Sequence, residues 1–106
     1  MKSYRIEIAE RAMREIALEN ASYNAHRRTG PADLVLRQFE RAISALEYQA
    51  ATGTRVRSRQ GDARRFLVKR IRYHLYYFLC EDDARVEVVM IRHAVRRPVR
   101  RIERHH

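Results

Sequence analysis

Tyr73-His74-Leu75-Tyr76-Tyr77-Phe78-Leu79-Cys80 is apolar or aromatic at nearly every position. A strand with one wet face alternates apolar with polar residues. This stretch does not, so it predicts a central strand covered on both sides. The alternation of side chains puts Tyr73, Leu75, Tyr77 and Leu79 on one face. His74, Tyr76, Phe78 and Cys80 fall on the other. Beyond it, Glu81-Asp82-Asp83-Ala84 reads as a compact polar turn and Val86 to Ile91 as a second strand, giving a hairpin. Before it, Phe66 to Ile71 reads as a strand and Gln60-Gly61-Asp62 as a turn. Thr54 to Arg59 is a short strand or an extended loop, with Arg55, Arg57 and Arg59 on one side.

On the N-terminal side of Gly53 the apolar period is about 3.6, and after it about 2. Leu36, Phe39, Ile43 and Leu46 form one helical stripe, in a helix of about 20 residues ending before Gly53, with Pro31 suited to its first turn. Ala9, Ala12, Met13, Ile16 and Ala17 form another, in a helix from Glu10 to about Arg27. Gly30-Pro31 separates the two, and so short a break predicts an antiparallel helical hairpin. Tyr4, Ile6 and Ile8 alternate with Arg5 and Glu7, as in a half-buried strand. The expected fold is therefore α+β: an N-terminal strand, an α-helical hairpin, then an antiparallel sheet, β-α-α-β-β-β, in two layers. The hairpin covers one sheet face. The second is apolar enough to demand a cover, for which a partner segment is the expected candidate. Residues 1–98 form the expected single domain, and 99–106 a basic C-terminal tail with little order of its own.

With 106 residues, 45% of them apolar, the chain is sized for one domain with a modest core. No stretch approaches the roughly 18 apolar residues of a membrane span. Met1 to Ile6 lacks the apolar core of a signal peptide, so the cytoplasm is the expected compartment. The lone Cys80 reads as a buried thiol. Charge is distributed unevenly. Residues 1–54 hold 8 Lys and Arg against 7 Asp and Glu, whereas residues 55–106 hold 15 against 6. Such segregation exceeds what solubility requires, and points to nucleic acid, ribosome or an acidic protein as partner.

Several segments in this order resemble the RelE/ParE superfamily of bacterial type II toxins. They are the leading strand, the hairpin ending in Ala42-Ile43-Ser44-Ala45-Leu46, Gly53 and the basic stretch after it. The Tyr73-His74-Leu75-Tyr76-Tyr77 strand, the acidic turn, Val86-Glu87-Val88-Val89 and Ile91-Arg92-His93-Ala94-Val95-Arg96-Arg97-Pro98 follow. The resemblance covers roughly residues 3–98, and the closing His-x-x-Arg-Arg-Pro segment is more similar to the ParE, or plasmid-stabilisation, branch. It implies a toxin held inactive by a small, acidic cognate antitoxin in a hetero-oligomer. ParE-type members inhibit DNA gyrase by protein–protein contact, and RelE-type members cleave mRNA in the ribosomal A site. A basic nucleic-acid-binding module without toxicity is the third reading of the charge.

Metal-free RNA cleavage needs a base for the 2′-OH, an acid for the leaving 5′-oxygen and cations for the phosphorane charge. On the nuclease reading, His93 is the acid or base, with Arg96 and Arg72 as catalytic companions; Arg92 and Arg65 are further phosphate holders and Lys69 a weaker base. His74 reads as a packing residue of its strand and His26 as a cation at a helix C-terminus. Target or nucleic-acid contact is expected at Arg55, Arg57, Arg59, Arg64, Arg65, Lys69, Arg92 and Arg97, and antitoxin contact at Tyr73, Tyr76 and Phe78. The aromatic cluster of that strand reads first as core. No metal-ligand spacing and no phosphate loop occur, so neither metal nor cofactor is expected. The chain has no Tyr, Phe or Trp after Phe78, so the C-terminal stacking tyrosine usual in RelE-type nucleases is missing.

Overall fold

The computed structural model describes residues 2–95, 99 and 101–103. The elements run β1 (Arg5–Ile8), α1 (Glu10–His26), α2 (Leu34–Gln49), β2 (Thr54–Val56), β3 (Asp62–Val68), β4 (Tyr73–Cys80) and β5 (Arg85–His93), with a 3-10 turn at Ala50–Thr52. They form one sheet in the order β1-β5-β4-β3-β2, with the helices on one face. No helix among the described residues is long and apolar enough to cross a membrane.

β4 is central, between β3 and β5, as its unbroken apolar run demands. Leu75, Tyr77 and Leu79 meet Ile16, Phe39 and Leu46 of the helices. Tyr76 and Phe78 sit on the opposite face with Ala63, Val89, Met90 and Ile102. Each such fully buried Leu or Phe contributes about 1.5–3 kcal/mol.

The sheet is mixed rather than antiparallel throughout. β1 lies parallel to β5, from Arg5 opposite Arg85 to Ile8 opposite Val88. The long path through the hairpin and three strands lets the first strand run beside the last in the same direction. β3 begins at Asp62 instead of Phe66, and stops at Val68 instead of Ile71. Asp62 neutralises Arg64 within the strand, which lets a charged residue enter the sheet. Beyond Val68 the chain turns, Arg72 taking a left-handed φ of 55°.

Pro31 precedes the second helix rather than opening it. Asp33, at φ 58°, is held by α1: its carboxylate accepts from Asn20 (3.0 Å) and Asn24 (2.7 Å), and its amide donates to Asn24 Oδ1 (2.9 Å). Asn20 Oδ1 also accepts from the Leu36 amide at 3.0 Å. Side chains of one helix thus satisfy free backbone amides at the start of the next, and the bonds that the Asn20 and Asn24 side chains donate to the Asp33 carboxylate lower its pKa.

The second face receives part of its cover from the chain itself. Arg101 bridges in parallel to Arg57, the Ile102 amide donates to the Arg57 carbonyl oxygen at 3.2 Å, and the Ile102 side chain is buried among Tyr76 and Phe78.

Candidate functional site

The register of β4 on β5 decides which polar groups share a face. Tyr77 pairs with Val88 but Tyr76 pairs with Met90, so Val89 is an extra residue on β5. This bulge changes the parity of everything after it. His74 comes to face Arg92 across the pair, and Tyr73 to face His93. On β3, Leu67 lies opposite His74, and Arg65 opposite Tyr76. The open part of the second face is therefore a patch of Arg65, His74 and Arg92, floored by buried Tyr76 and edged by exposed Leu67.

Within this patch the His74 ring stands edge-on to Tyr76, centroids 6.1 Å apart. Its pKa is lowered, first by burial and then by the Arg65 charge. His74 is consequently neutral at pH 7, with an imidazole able to accept a proton. Arg92 keeps a buried Nε without a hydrogen-bond partner. The Arg65 charge acts on a neutral imidazole, with Arg92 opposite His74 in the register, and such a pairing suits an anionic ligand.

His93 is turned the other way. Its ring packs edge-on against Tyr73 at 5.1 Å, and its Nδ1 accepts from the Val95 amide at 3.2 Å. The Tyr73 hydroxyl donates to Glu19 at 2.6 Å, and Glu15 Oε1 accepts from the Ile91 amide, which lies beyond the reach of β1. These groups line a cavity of about 250 Å³ between α1 and β5. His93 thus faces the helical layer, in a cavity that Arg11 and Arg92 also line, whereas Arg65 lies on the second face.

The other expected residues scatter. Arg55, Arg57 and Arg59 are exposed along the β2 edge, and Lys69 and Arg72 in the β3–β4 turn. Arg64 is buried: its guanidinium makes two 3.0 Å bonds to Asp62 and donates to the Ala51 carbonyl oxygen at 2.5 Å. It braces the sheet instead of presenting charge to a target. Tyr73 faces the helices, while Tyr76 and Phe78 are 1% and 0% exposed on the second face. A partner would touch those two only after the Ile102 segment moved. Arg96 and Arg97 lie outside the described residues. Sequence reasoning passed over His74, because an apolar strand makes a histidine look like packing. Only its cross-strand neighbours reveal the patch.

No protein-family model matches the chain, and no curated protein does. Among solved structures it is similar to the toxin–antitoxin complex RelBE2 from Mycobacterium tuberculosis. The TM-score is 0.60 and the identity 17%, over 88% of this chain and 93% of that one. The fold is RelE-like. At that identity the likeness carries the architecture and no residue roles.

Proposed function

We propose that this chain is the toxin of a type II toxin–antitoxin system, of ParE type: a cytoplasmic inhibitor of DNA gyrase that acts by protein–protein contact and is neutralised by a small acidic antitoxin. The placement of His93 carries this reading. The histidine of the closing segment is engaged with Tyr73 and Val95 on the helical side. These contacts engage the ring with packing and backbone, which favours a contact toxin over the nuclease built on His93, Arg96 and Arg72. The RelE-like fold and the exposed basic edge of Arg55, Arg57 and Arg59 support a toxin that meets a charged partner.

One observation favours a second reading, a metal-independent, RelE-type mRNA endoribonuclease centred on His74. A neutral His74 would take the 2′-OH proton, and the 2′-oxygen would attack the adjacent phosphorus. Arg65 and Arg92 would hold the phosphorane charge, and the 5′-oxygen would leave with a proton from water.

Induction of the chain alone in bacteria tests both readings. Arrested growth, inhibited gyrase supercoiling and intact mRNA support the first. Cleaved mRNA with normal supercoiling overturns it in favour of the second, and unimpaired growth overturns both.

A further inference from the structure

A second basic site lies on the helical layer, away from the sheet face described above. Arg37 and Arg41 of α2 and Arg70 of the β3–β4 turn line one groove of about 380 Å³, bounded by Pro31 and Leu34. We propose that these three arginines seat the phosphodiester backbone of a single nucleic-acid strand, RNA or DNA.

The charge pattern of the helices supports this. On α1, Arg11 is closed by Glu15 and Arg14 by Glu10, each one helical turn away. On α2 the same spacing brings Arg37 and Arg41 together, with Cβ atoms about 5–6 Å apart, a like-charge pair that works against the helix. Neither makes an ion pair among the described residues, and nor does Arg70, brought alongside from 29 positions further along the chain. Glu40 lines the same groove, leaving a formal excess of two positive charges there. Three exposed guanidiniums that close no ion pair, Arg37 acting on Asp33 only at longer range, converge from two elements on a site for a repeating anion, and their planar forks match phosphate oxygens.

The groove's continuation favours a nucleic-acid strand over an acidic peptide. Arg70 belongs to Lys69-Arg70-Ile71-Arg72, whose other cations are exposed on the same turn. That turn joins Val68 to Tyr73, next to Leu67 and His74 of the second face. The basic track therefore runs from the helical groove over the turn toward Arg65 and Arg92. A peptide would need side-chain pockets, and the groove's apolar lining is only Pro31 and Leu34.

The test reads binding alone and does not depend on the toxic activity proposed above. Anisotropy of labelled single-stranded RNA and DNA oligonucleotides with the full chain is followed over a range of salt, with poly-glutamate as competitor. The triple variant R37Q/R41Q/R70Q should bind at least about tenfold more weakly. Its salt slope should be shallower by about 2, at roughly 0.7 per lost phosphate contact. R14Q, on the opposite helix, should bind as the parent does. Should the triple variant melt early, each single variant, shallower by about 0.7, gives the same reading. A folded triple variant with unchanged affinity and slope overturns the proposal. So does poly-glutamate that displaces the oligonucleotide at equal charge, which would assign the groove to an acidic peptide.

Discussion

The Tyr77 hydroxyl donates to the Ala50 carbonyl oxygen at 2.5 Å, tying the middle of the central strand to the end of the helical hairpin. Gly53 lets the chain pass beside that hydroxyl: a Cβ there would overlap the Tyr77 oxygen and come within 2.9 Å of the Arg65 carbonyl oxygen. Tyr77→Phe leaves a buried acceptor empty and should cost about 1–3 kcal/mol. Gly53→Ala should cost at least as much, by overpacking against backbone that cannot yield. Urea unfolding of both variants measures the two. Burial also pushes the Tyr77 pKa up to about 12. The folded value lies above the unfolded one near 10, so this stability is intact below pH 10 and is lost as pH rises toward 12. The Phe variant should lack that alkaline loss.

Arg64 acts on stability rather than on a target. Removing it strands the Asp62 carboxylate and the Ala51 carbonyl oxygen inside the β2–β3 edge. Arg64→Ala should cost about 3 kcal/mol. In a double-mutant cycle, Asp62→Ala should recover part of it. Arg59→Ala, at an exposed position, should change the unfolding free energy by less than about 0.5 kcal/mol. Equal losses for the two arginines would contradict the bracing role.

Ile102 is 2% exposed and covers Tyr76 and Phe78. Ile102→Ala should destabilise by about 2–4 kcal/mol, as the cavity adds to the lost burial. It should also raise binding of an apolar dye, because the second face loses part of its cover. Unchanged stability would show that the segment contributes no packing energy.

The two histidines of the β4–β5 pair should behave differently. If mRNA is cleaved, His74→Gln should lower the rate by about 10²–10⁴, the usual weight of a general base, whereas His93→Gln should leave it near the parent value. Stability should separate them too. The His74 pKa in the fold lies below the unfolded value near 6.5, so the unfolded chain takes up protons first. Stability should fall as pH drops below about 6.5, and His74→Gln should remove that component. Acid titrations of both variants check this.

Much of the architecture was legible in residue order. The apolar run of Tyr73–Cys80 marked the central strand, and the 3.6-residue stripes marked both helices. These signals are local: burial on one face imposes a period that any single element must carry. The parallel β1–β5 contact left no such trace, because Tyr4, Ile6 and Ile8 alternate alike in either orientation.

The site was decided elsewhere. In Val88-Val89-Met90-Ile91 every residue is apolar, so a bulge at Val89 leaves no mark on the pattern, yet it sets the face of every residue after it. That single extra residue puts Arg92 beside His74 and turns His93 to the helices. The meeting of Arg37 and Arg41 with Arg70 is likewise a contact between elements far apart in the chain. The sequence by itself determined the elements, the layers and the surplus of positive charge, since these follow from periodicity and composition. Which cations converge, and on which face, was decided only by tertiary structure, because strand register and helix docking are set by packing summed over the whole core.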